Sequence, residues 1–199
     1  MKKETKKSDA NKNQQAKKLS PEGKTRKKKS PLREAIETIV WSLVIALLII
    51  NFVIQSFYIP SSSMEPTLIP GERVLVAKFY YRFTDPQRGD IIVFLYPIDK
   101  RKNLIKRIIG LPGDRIKIEN GMVTVNDNPL QGEKFGRTYY DMGFYGQGEH
   151  TVPDGSYFVL GDNSQNSDDS RFWGYVPRKN ILGRAFVIYW PLPQISVIR

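Results

Sequence analysis

The chain has 199 residues, no cysteine and one histidine, which excludes disulfides and thiolate chemistry and leaves a zinc site to depend on carboxylates. Its formal charge of +11 is uneven: residues 1–33 hold 13 of the 31 Lys and Arg and 3 of the 20 acidic residues, so the remainder carries 18 against 17. The positive charge therefore belongs to one end and does not describe a basic domain.

Residues 1–34 form a Lys-rich tail with no aromatic residue, too poor in apolar surface to order itself, and it is expected to be disordered. Residues 38–57 then run for 20 positions without a charge, about enough at helical rise to cross a ~30 Å hydrocarbon core. One transmembrane helix over 35–58 is expected, with Trp41 near one interface and Phe57 and Tyr58 at the other. The Lys/Arg excess before it places the N-terminus in the cytoplasm and the chain from residue 59 outside the cell membrane. A cleaved secretory signal competes with this reading, but its apolar region is about 7–15 residues, and the basic leader here is too long. Beside a span, the tail's charge suits contact with anionic membrane lipids, and nucleic acid is not an expected partner.

Past the apolar stretch comes Ile59-Pro60-Ser61-Ser62-Ser63-Met64-Glu65-Pro66-Thr67. The two prolines lack an N–H and push their predecessors toward extended backbone, so the serines lie on an extended, turn-flanked segment. Residues 74–77, 91–96, 104–109, 116–118, 122–125, 157–160 and 185–190 are short β-branched or aromatic runs punctuated by Gly, Pro, Asn and Asp. No soluble helix stands out. The domain over 59–199 is expected to be all-β and mostly antiparallel. Asn120-Gly121 marks a tight hairpin between 115–119 and 122–125, and Arg88-Gly89-Asp90 reads as a turn into the strand at Ile91. The Gly- and Tyr-rich stretch 129–153 reads as a loop or small insertion, with His150 as a loop or surface residue within it. Pro191-Leu192-Pro193 marks the end of the last strand.

A serine nucleophile needs a base, and without a held histidine the candidates are a carboxylate or a desolvated lysine. Burial can lower the lysine pKa from about 10.4 by up to ~3–5 units. On a strand over 104–109, Lys106 shares a face with Leu104 and Ile108, an apolar setting. A solvated lysine in a basic run is the other reading of the same pattern. Arg107, on the opposite face with Ile105 and Ile109, cannot give up its proton.

Three segments in order resemble the motifs of type I signal peptidases, membrane-bound proteases that remove signal peptides. They are Ser61-Ser62-Ser63-Met64-Glu65-Pro66-Thr67, Lys106-Arg107-Ile108-Ile109-Gly110-Leu111-Pro112-Gly113-Asp114, and Gly161-Asp162-Asn163-Ser164-Gln165-Asn166-Ser167-Asp168-Asp169-Ser170-Arg171. The resemblance runs from about the apolar segment to Trp190. It implies Ser63 as nucleophile and Lys106 as general base, with the Ser63 N–H and the Ser61 hydroxyl as oxyanion hole. Ser167 would orient the Lys106 amine, while Asp162, Asp169 and Arg171 would support the site. Ile59, Met64, Leu68 and Ile105 would line two shallow substrate pockets. The third motif commonly has Arg-Asp where Ser164-Gln165 stands, so contacts made by those charges are absent or replaced here. The implied substrates are precursor proteins with signal peptides, cleaved without a metal or other cofactor. A Ser/Lys protease dedicated to one precursor, and an anchored non-catalytic β-module that binds peptides, are the alternatives.

Overall fold

The computed structural model describes residues 30–198. Residues 1–29, most of the expected disordered tail, lie outside the described residues. Residues 31–34 do not belong to that tail but open a helix, α1 (Pro31–Val53), in which proline takes the first position, where its missing N–H costs nothing. The Ser30 carbonyl accepts from the Arg33 and Glu34 amides. The chain divides into two units, Met1–Leu43 and Val44–Arg199. In the first, Arg33 pairs with Glu37 one helical turn on, and Leu32, Ile36, Ile39, Val40, Trp41 and Leu43 are exposed.

The helix ends five residues before the expected boundary. Residues 54–58 form a strand, β1 (Ile54–Tyr58), that pairs antiparallel with β2 (Arg73–Ala77). A short uncharged run continuing a helix carries too few residues for its period to separate helix from strand, and here the partner strand decides. The helical part of the charge-free run is thus 38–53, about 24 Å at 1.5 Å per residue. No helix among the described residues is long and apolar enough to cross a membrane.

The second unit is strand-rich and antiparallel. After β2 come a single turn of helix, α2 (Tyr80–Phe83), β3 (Ile91–Leu95), β4 (Asn103–Gly110), β5 (Arg115–Glu119), β6 (Met122–Val125), β7 (Asn128–Pro129), β8 (Glu149–Thr151) and β9 (Ser156–Leu160). Another short helix, α3 (Ser170–Trp173), precedes β10 (Val176–Pro177), β11 (Ile181–Trp190) and β12 (Ser196–Val197). One sheet has the order β1-β2-β11-β3-β4-β9-β10, with β12 also on β11, and a second has β7-β6-β5-β8. The short helices and β1, β7, β8, β10 and β12 are additions to the expected strands, and β12 lies beyond Pro191-Leu192-Pro193, which therefore does not follow the last strand. Asn120 and Gly121 both take positive φ, 53° and 79°, in the two-residue turn between β5 and β6. Asn126 and Asp127 do the same between β6 and β7.

Alternation along β4 distributes its side chains. Ile105 packs against a cluster with Ile59, Met64, Leu68 and Val93, whereas Leu104 and Ile108 join Ile92, Phe94 and Val159. Ile109 joins Phe158 and Leu160 in a third cluster with Ile116 and Ile118 of the second sheet. The 129–153 segment is part of that cluster through Leu130, Phe135, Tyr139 and Tyr145, and it contributes β8 to the sheet. His150 is therefore a half-buried strand residue, not a loop histidine, and its Nε2 lies 2.6 Å from the Gln147 carbonyl. The turn at Gly89 is held from several sides: Arg88 pairs with Asp114, Asp90 with Arg184, and the Gly89 carbonyl accepts from Arg107.

Candidate active site

β1 delivers the chain to the serine segment, where Ser62–Met64 makes one 3-10 turn. Met64 is fully buried in the core, and this anchors the turn and leaves the neighbouring Ser63 nearly closed off, at 5% exposure. β4 lies between β3 and β9, so its backbone is tied on both sides. Lys106 extends from it and donates from Nζ to Ser63 Oγ at 2.7 Å and to the Ile105 carbonyl at 3.0 Å. The Ser61 hydroxyl is 3.4 Å from Ser63 Oγ.

Lys106 is 3% exposed, not the solvated strand lysine that the pattern also allowed. Burial pushes its amine down to about 8; the carboxylates of Asp169, Asp168 and Asp162 oppose that shift and Arg171 adds to it. At pH 7 a group of pKa 8 is about one-tenth neutral, against less than about one part in a thousand for an ordinary lysine. The arrangement can therefore hold a free amine against a serine hydroxyl near neutral pH.

The third motif wraps around this pair. The Asn163 amide donates to the Ser63 carbonyl at 3.1 Å. Gly161 is required by close approach, since a Cβ there would collide with Ser167 Oγ and the Ser63 carbonyl. Asp162 accepts from Arg107 Nε at 2.8 Å and Nη2 at 2.6 Å, and also from the Thr67 hydroxyl. One carboxylate so joins all three motifs. Arg137, from the 129–153 segment, adds a 3.0 Å bond to Thr67 Oγ1.

Asp169 and Arg171 form a separate, fully buried pair that locks the loop itself. Asp169 accepts from the Gly161 amide at 3.0 Å and from Arg171 Nε at 2.8 Å. Arg171 donates further to Ser164 Oγ at 2.6 Å and to the carbonyls of Ser164, Ser167 and Tyr140. Ser164 Oγ also accepts from the Tyr140 amide at 3.0 Å, and Gln165 Nε2 donates to the Tyr140 hydroxyl at 2.9 Å. Neutral contacts to the 129–153 segment thus occupy the place of the Arg-Asp pair.

Ser63, Lys106 and Ser61 are brought together as the motif order implies. The expected hydrogen bond from Ser167 to Lys106 is not made: Ser167 Oγ is buried beside Gly161 and has no hydrogen-bond partner among the described residues. Ile59, Met64 and Leu68 share one cluster with Ile105, but those three are closed core residues, and Ile105 alone of the four keeps partial exposure. Arg107, Thr67, Gly161 and Arg137 are structural members of the site to which the sequence assigned no supporting role. Three of them stand inside the motifs, yet nothing in a linear pattern pairs Arg107 with a carboxylate 55 residues away.

Comparison with known proteins gives these features their context. A family model described as "Signal peptidase, peptidase S26" matches residues 32–190. The signal peptidase I of Leptolyngbya laminosa is 47% identical over 175 residues, covering 84% of each chain. A probable signal peptidase I-2 of Synechocystis sp. is 45% identical over 184 residues, 87% of this chain and 82% of that one. A solved signal peptidase I from Enterococcus faecalis V583 is 33% identical, with a TM-score of 0.43, covering 51% of this chain and 97% of that one. The class is that of a serine hydrolase of the signal peptidase I type. The chain belongs to the signal peptidase family, peptidase S26.

Proposed function

We propose that the chain is a membrane-anchored endopeptidase that removes N-terminal signal peptides from exported precursors, with Ser63 as nucleophile and Lys106 as general base. The observation that carries this reading is the 2.7 Å contact between Lys106 Nζ and Ser63 Oγ with both groups buried. In the neutral state the amine accepts the hydroxyl proton as Ser63 Oγ attacks the scissile carbonyl. The developing oxyanion is met by the Ser63 N–H and the Ser61 hydroxyl. The ammonium of Lys106 then protonates the leaving amine, and a water activated by the same lysine releases the acyl group. Asp162, Asp169 and Arg171 hold in place the loop that carries Ser167.

The substrate adds as an extended strand beside the serine segment, a mode that supplies main-chain hydrogen bonds. β1 supports this, being an edge strand of its sheet that leads directly into Ser61. Residues along α1 anchor the chain: past its charged first turns, residues 39–48 expose large apolar side chains around the helix, a surface at home in lipid. The tail stays in the cytoplasm and the β-domain lies outside. Detergent-solubilised full-length protein incubated with an exported precursor tests the proposal. Cleavage after the signal region by the native chain, lost in Ser63→Ala, supports it, and binding without turnover refutes it.

A further inference from the structure

We propose that the pocket beside α2, where α1 joins the sheet, binds the phosphate of an anionic phospholipid headgroup in the leaflet facing the β-domain. The inference rests on the reading of α1 as a membrane anchor. Its geometry is independent of the active site.

The pocket has a volume of about 360 Å³ and is lined by Lys78, Phe79, Arg82, Arg178, Ile181 and Leu182 among others. Its position follows from the strand register. Ile54 of β1 faces Ala77 of β2, and the next residue, Lys78, donates its amide to the carbonyl of Val53 at 2.9 Å. Val53 is the last residue of α1. A chain leaving a bilayer at Val53 would therefore carry Lys78 one strand spacing away, about 5 Å, at headgroup depth.

The chemistry suits a phosphate monoanion. Three cations line the pocket, and one carboxylate, Asp85, stands at its edge, 3.0 Å from Arg178 Nη1 and 90% exposed. Such an exposed pair is weak and yields to a better anion. Arg178 is held in place by its donations to the Tyr81 carbonyl at 3.0 Å and the Tyr157 hydroxyl at 3.3 Å. Arg82 lies 4.8 Å over the Phe79 ring. Neither Lys78 nor Arg82 forms an ion pair with any described residue. The floor is apolar, as an acyl-glycerol stem requires, and Phe83 on the same short helix is 86% exposed. An exposed phenylalanine next to Lys78 and Arg82, neither in an ion pair among the described residues, is the composition of an interfacial contact.

The test uses full-length protein in phosphatidylcholine vesicles doped with a photoactivatable phosphatidylglycerol, with cross-linked peptides mapped after digestion. Labelling is expected on the peptides around residues 78–83 and 178–182. In Lys78→Gln/Arg82→Gln it should fall by roughly twentyfold, since each cation near an anionic surface is worth about a factor of five. Retained cleavage of a detergent-presented precursor would establish that this variant is folded. Equal labelling of native and variant protein overturns the proposal. So does competition by soluble glycerol phosphate, which would make this a site for a free phosphate ester. Alkaline carbonate extraction tests the anchor separately. A chain washed off the vesicles refutes the anchor and the headgroup site together, whereas an integrated chain without localised labelling refutes the pocket alone.

Discussion

Lys106 combines two properties that oppose each other in water, a basic amine and near-complete burial, and its behaviour with pH follows from that. If the free amine is the base, cleavage should rise with pH through a midpoint near 8, measured as kcat/KM. A profile flat from pH 6 to about 9 would remove Lys106 from the base role. The same shift acts on stability. The folded state releases the proton near 8 and the unfolded chain near 10.5, so between these values the unfolded state binds more protons and stability increases with pH. The gain is of order 3 kcal/mol, it is absent below pH 8, and it should vanish in Lys106→Met when denaturation midpoints are compared across that window. Ser63→Ala and Lys106→Ala should each reduce cleavage by a factor of about a thousand or more with the β-domain still folded. Lys106→Arg should be as inactive, because guanidinium keeps its proton.

Between elements, the strongest expectation concerns Asp162 and Arg107, which are 0% and 2% exposed at the side chain. Asp162→Ala leaves a buried guanidinium unpaired, and the loss should be about 3–5 kcal/mol, read from urea unfolding. Arg171→Lys should also destabilise, since one ammonium cannot replace a fork that bonds Asp169 and three carbonyls. Specificity belongs to this scale too. With β4 and the serine segment as walls, precursors with Ala at the first and third positions before the cut should be processed at least tenfold faster than those with Leu or Phe, since overpacking costs roughly 1–3 kcal/mol. Burial separates two probes that looked equivalent in sequence. Ile105→Ala should widen acceptance in a folded enzyme, whereas Ile59→Ala opens a core cavity and should cost about 2–5 kcal/mol. The strands themselves were legible because alternation, Asn-Gly and β-branched composition agree locally. The end of α1 was not, because residues 54–58 continue the charge-free run of the helix before them and only pairing with β2 makes them a strand. The order within 129–153 was hidden for a similar reason: its aromatic residues show no period and are placed by the second sheet.

On the scale of the whole molecule, the proposed topology predicts that protease added outside spheroplasts digests beyond Tyr58 and spares the basic tail. Digestion of the tail first would reverse the orientation and exclude signal peptides as substrates. The site was legible in part at this scale. Three motifs in order named Ser63 and Lys106, but the links that bring them together, from Thr67 and Arg107 to Asp162, cross distances that no local pattern encodes. Those links have a consequence for when this protein can act. The proposed reacting groups lie 43 residues apart, and the carboxylate that ties their motifs together, Asp162, follows Arg107 by another 55. A partly emerged chain would own the serine and the lysine and still be harmless. On the proposed mechanism, proteolytic competence would arrive late, with closure of the domain around Asp162.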